Sequence, residues 1–73
     1  MTEVQARELM MNYYDEDEEG NRYYYDIVKC DGGDDDYYIF MCVRRDMPIP
    51  KNERKRIWFW VDKDGWVDAI PVS

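Results

Sequence analysis

Apolar positions near the start of the chain recur at helical spacing. Ala6, Leu9, Met10 and Tyr13 stand at i, i+3, i+4 and i+7, the signature of one buried helix stripe. Val4, Met11 and Tyr14 widen that stripe. Thr2-Glu3-Val4-Gln5 fits a capping box, with Thr2 as N-cap and Gln5 reaching back to it. Met1 and Ala6 stand where a hydrophobic staple would close. Asp15 to Glu19 set like charges against the negative end of the helix dipole, so the helix is expected to stop near Tyr14. Gly20-Asn21 then marks a turn.

From residue 22 the pattern changes to strand. Residues 22–30 are rich in Tyr, Ile and Val, and 37–45 repeat that character. The turn-rich 31–36 stretch between them predicts an antiparallel hairpin that sets Cys30 near Tyr37 and Cys42 near Tyr25. Pro48 and Pro50 make 46–55 a loop. Residues 56–62 and 66–72 read as two further strands. They are joined by a type I turn with Gly65 in the left-handed position of a G1 bulge. The fold class is therefore α+β: one N-terminal helix packed on a four-stranded antiparallel sheet, in a single domain spanning 1–73.

The last hairpin resolves into two faces. Pairing across Gly65 sets Val61 beside Val67 and Phe59 beside Ala69, and with Ile57 these form one face. Trp58, Trp60 and Ile70 then point the other way. A single helix covers one side of a sheet, and we assign it to the Ile57, Phe59 and Val61 side. The tryptophan side is expected to lie open, a site for a homodimer or for a partner protein.

Composition changes the picture in three ways. The 73 residues include no His, one Ser and one Thr, which removes Ser–His and Cys–His nucleophile pairs and His-based zinc sites. No enzyme activity and no cofactor is expected. Cys30 and Cys42 carry no secretory context, and no apolar run has membrane-spanning length. We therefore expect a cytoplasmic protein with free thiols and no membrane partner. The net charge is -7 and is unevenly spread: residues 1–36 hold twelve acids and three bases, residues 37–73 five acids and seven bases. Two acidic clusters, Asp15-Glu16-Asp17-Glu18-Glu19 and Asp34-Asp35-Asp36, fall in predicted loops. With Trp58 and Trp60 they are the candidate partner-binding residues, for a protein with a basic surface. The basic run 51–56 beside the tryptophans has the character of a single-strand binding surface. The overall charge opposes direct nucleic-acid binding, and the run is expected instead to be a solvated loop that pairs with the acidic clusters.

A calcium loop is a distant alternative. Asp15, Asp17, Glu19 and Asp26 match EF-hand ligand positions 1, 3, 5 and 12, with Gly20 at position 6. Position 12 is Asp rather than Glu, position 8 is Arg22, and a strand follows instead of a helix.

The order of elements, with Tyr37-Tyr38-Ile39-Phe40-Met41-Cys42-Val43 and the Val61-Asp62-Lys63-Asp64-Gly65-Trp66-Val67 hairpin, resembles the PepSY-like architecture. That resemblance implies a structural or regulatory domain acting as a homodimer. In size and acidity the chain also resembles small phage-encoded inhibitors of host defence, the anti-CRISPR type. That likeness implies an inhibitor of a host nucleic-acid-binding protein.

Overall fold

A computed structural model describes residues 1–71, so the expected end of the last strand at Val72 lies outside the described residues. Helix α1 spans Glu3–Asn12, and five strands follow: β1 Tyr14–Glu16, β2 Arg22–Gly33, β3 Tyr37–Arg44, β4 Ile57–Asp62 and β5 Val67–Ile70. They form one antiparallel sheet in the order β1-β2-β3-β4-β5. The α+β class stands. The sheet has five strands rather than four, because the acidic stretch after the helix contributes β1.

The helix begins as its sequence dictates. The Thr2 side chain accepts from the Gln5 backbone N–H at 3.2 Å, and the Gln5 side chain accepts from the Thr2 N–H at 2.9 Å. Ala6 and Met10 are fully buried and Met1 packs against their cluster, whereas Leu9 and Met11 stay exposed. The buried stripe is thus narrower than expected. Ten residues are too few for a stable isolated helix. Packing against β2, β3 and β4 holds it. It ends at Asn12 because Tyr13 turns extended and carries its ring inward, 5.6 Å from Phe59 and 6.3 Å from Tyr25.

The core lies between the helix and the inner sheet face, built on Tyr25, Phe40, Cys42, Phe59 and Val61. The helix covers the Ile57, Phe59 and Val61 side as expected. The β4–β5 register also agrees, with Val61 opposite Val67 and Phe59 opposite Ala69. Gly65 has φ +88°, and its N–H donates to the Asp62 carbonyl at 3.0 Å.

The β2–β3 hairpin departs from expectation. Strand β2 runs through Gly33, and the turn is only Asp34 to Asp36. Cys30 faces Phe40 and Cys42 faces Ile27, instead of Tyr37 and Tyr25. The register slips once between Ile27 and Lys29 and again between Cys30 and Gly32, leaving Val28 and Asp31 as bulge residues. At the turn Tyr38 faces Gly33 where the straight count gives Lys29, and each bulge takes back one position of that offset. Both thiols are free.

The outer sheet face is not bare. Met41 and Val43 alternate with the inward Phe40 and Cys42, yet are 8% and 0% exposed. The 45–56 segment returns against this end. Lys51 and Arg45 both reach Asp26, the register partner of Val43. The Arg54 guanidinium pins the segment by donating to the carbonyls of Ile49, Arg44, Arg45 and Met47 at 2.7 to 3.1 Å. The expectation of an uncovered face therefore holds only for its far end.

Candidate functional site

The two acidic clusters are not one surface. They lie at opposite ends of β2, whose twelve residues span roughly 35 Å at about 3.3 Å per residue. Neither is a simple loop.

In the first cluster, Asp15 and Glu16 belong to β1. Asp15 accepts from the Tyr13 hydroxyl at 2.8 Å and the Tyr25 hydroxyl at 2.7 Å. Burial and that bonding to Asp15 push the Tyr13 hydroxyl up to about 12 and raise Tyr25 as well. Glu16 lies 3.7 Å from Arg22, whose guanidinium covers the Tyr14 ring. Asp17 builds the turn: its carboxylate accepts from the Asn21 and Glu19 backbone N–H groups, each at 2.9 Å. The Asn21 bond first, then the neighbouring N–H groups, hold Asp17 below its ordinary value. Glu18 and Glu19 remain exposed at the turn tip. Asp26 pairs with Arg45 at 2.9 Å. Three of the four calcium-loop carboxylates are thus occupied by different partners. Among the described residues no group of three potential ligands converges on a cation position.

The second cluster gains a neighbour that lies far from it in sequence. The Lys63 N–H donates to the Asp36 carbonyl at 2.9 Å, and the Lys63 ammonium lies 3.3 Å from the Asp36 carboxylate. The β2–β3 and β4–β5 turns are thereby joined. Asp34, Asp35, Asp36, Asp62 and Asp64 share one end of the sheet with Lys63. Asp34 and Asp62 are structural as well as charged. Asp34 accepts from the Asp36 and Tyr37 N–H groups, and Asp62 from those of Asp64 and Trp66. Asp35, Asp36 and Asp64 are exposed; the Asp36 carboxylate pairs with Lys63, and none of the three carboxylates accepts a hydrogen bond within its own turn.

The aromatic residues divide. Trp58 is half-buried and donates its indole N–H to Asp31, which Lys29 also contacts at 3.1 Å. The Trp58 bond first and Lys29 second hold the Asp31 carboxyl below its usual range. Trp58 is therefore engaged by its own chain. Trp60 is 43% exposed and stacks on Tyr37, ring centres 4.5 Å apart and 23° from coplanar. Trp66, at the turn, is 69% exposed. Trp66, Tyr37, Asp62, Asp64 and Asp68 join Trp60 at the acidic end, although the sequence pattern marks none of these five as a site residue. A Trp immediately after Asp-Lys-Asp-Gly is the available sign, since a large ring at a tight turn finds little to bury against.

The basic run does not neutralise either acidic cluster. Lys51 reaches Asp26 and Arg54 reaches backbone carbonyls, while Lys55 and Arg56 are exposed at the other end of β4. No helix among the described residues is long and apolar enough to cross a membrane.

Comparison with protein-family models, with curated proteins and with solved structures finds no match.

Proposed function

We propose that this chain is a small, acidic, non-enzymatic cytoplasmic binding protein whose partner is a protein with a basic, nucleic-acid-engaging surface. The carrying observation is the convergence of the 34–36 and 62–66 turns, which gathers five carboxylates beside Lys63 and next to the Tyr37–Trp60 stack. Concentrated negative charge steers a basic surface into encounter and competes with phosphates for it. A stacked, half-exposed ring pair supplies the apolar anchor that charge alone lacks. The resemblance to small phage-encoded inhibitors points the same way, toward blocking a nucleic-acid site by occupying it.

The strongly shifted nucleophile types move away from reactivity, which supports a non-enzymatic role. Burial pushes the Cys42 thiol up to about 12, and the Tyr13 and Tyr25 hydroxyls also rise. The rival homodimer through the outer face has less surface to use, since Met41, Val43 and Trp58 are covered or engaged within the chain.

Capture of proteins from extract on the immobilised chain, with mass spectrometric identification, tests the proposal. The retained proteins should be basic nucleic-acid binders, displaced by added duplex DNA and lost on an Asp35→Lys, Asp36→Lys, Asp64→Lys variant. This variant leaves the turn-building Asp34 and Asp62 intact. Retention of the same proteins by the variant contradicts the proposal.

A further inference from the structure

We propose that the free edge of β5 takes up an extended, arginine-bearing segment of a partner protein as a sixth strand. This rests on the basic-partner reading above and names the segment's chemistry and place. Strand β5 ends the sheet, and among the described residues no strand pairs with its outer edge. Its backbone groups on that side are a template for strand addition. Beside the edge runs a shallow groove of about 470 Å³, lined by Trp60, Asp62, Asp68, Ala69, Ile70 and Pro71.

Charge complementarity selects the occupant. Asp68 faces Trp60 across the β4–β5 ladder, is exposed, and has no ion-pair partner among the described residues. A strand added at β5 projects alternate side chains over this groove. Guanidinium groups at alternate positions would meet the Asp68 and Asp62 carboxylates and the face of Trp60, whose plane the Tyr37 stack fixes. Valine-like residues between them would point to the other side.

A second copy fits this edge poorly. Antiparallel β5–β5 pairing that keeps matching faces together has two central registers. One sets Asp68 directly opposite its own copy, which is repulsive. The other places Pro71 opposite Val67, and proline lacks the N–H that the ladder needs.

Titration of 15N-labelled chain with a hexapeptide of alternating arginine and valine tests the inference, alongside the same peptide N-methylated on its backbone and an alternating glutamate–valine peptide. The amides of Val67 to Ile70 should shift, Trp60 fluorescence should change, and Asp68→Lys should weaken binding at least tenfold. The N-methylated and glutamate peptides should leave these amides unmoved. Shifts confined to other elements, or equal binding by Asp68→Lys, would overturn the inference. Concentration-dependent shifts of 67–70 without peptide would overturn it in favour of self-association. The Asp35→Lys, Asp36→Lys, Asp64→Lys variant separates the two proposals. Peptide still seated at β5 while partner capture persists on that variant sinks only the acidic-end reading. Partner capture lost on that variant, with no wild-type peptide seated at β5, sinks only the edge.

Discussion

Asp15 shows how a single carboxylate changes meaning between sequence and structure. Within an acidic run it reads as one charge among five, yet it is the shared acceptor of two tyrosine hydroxyls at the core margin. Asp15→Ala should lower stability by about 1–3 kcal/mol, because it strands those hydroxyls beside a buried ring. Urea denaturation measures this, and no change would show that water substitutes for the carboxylate. The same network sets an alkaline limit. Tyr13 is held neutral by burial and by Asp15, its value raised from 10.0 to about 12. A group raised on folding contributes stability that is fully present below its unfolded value and lost as pH rises through the folded one. Stability should therefore fall between pH 10 and about 12. In absorbance titration, Tyr13 and Tyr25 should ionise only together with unfolding. Ionisation of all seven tyrosines before any loss of structure would refute the network. The cysteines divide by access: Cys42 is fully buried with its thiol pushed up to about 12, and Cys30 is half-buried. Native alkylation should modify Cys30 first, with Cys42 reacting only on unfolding.

At the scale of elements, turns and one loop carry the sharpest consequences. Gly65 sits at φ +88° with nothing within 4 Å of the place a methyl group would occupy, so Gly65→Ala suffers only the backbone penalty, about 1 kcal/mol. At Gly33 a Cβ would overlap the Tyr38 ring and the Tyr37 carbonyl, so Gly33→Ala should be the more damaging of the two. Equal melting temperatures for the two variants would contradict this. Arg54 clasps four carbonyls of the 45–56 segment and its flank, and a lysine cannot reproduce that fork. Arg54→Lys should raise hydrogen exchange across 45–56 and at Val43 while sparing β4 and β5. These contrasts follow what is legible in the chain. The helix start and the β4–β5 register are readable because a capping box and a Gly turn are local devices. Strand β1 is hidden because acidic residues are poor strand formers. The strand exists because Asp17 builds the turn that folds Tyr14 back beside Tyr24. The β2–β3 register is hidden because the strands close at Gly33 and Tyr38 rather than at Cys30 and Tyr37, and bulges at Val28 and Asp31, which no residue type announces, then take back part of that offset. Burial of Met41 and Val43 on the outer face is a tertiary outcome that periodicity does not encode.

For the whole molecule, the structure redistributes the charge that composition reports. The excess of acid is not a single negative face. One acidic turn sits at each end of β2, and only the 34–36 end recruits Asp62 and Asp64 and lies beside an exposed ring stack. Half of the candidate site is thus visible as residues, and its assembly is not, because it depends on contact between two turns 27 positions apart. Attraction through exposed charges is screened beyond about 8 Å at physiological ionic strength, so a charge-steered complex carries a kinetic signature. The most direct test is the association rate of a captured partner as a function of ionic strength, measured for the wild-type chain and for Asp35→Lys, Asp36→Lys, Asp64→Lys. The wild-type rate should fall steeply with salt, and the variant should associate slowly with little salt dependence. An association rate that is the same for both chains and insensitive to salt would contradict a binding function centred on this acidic end.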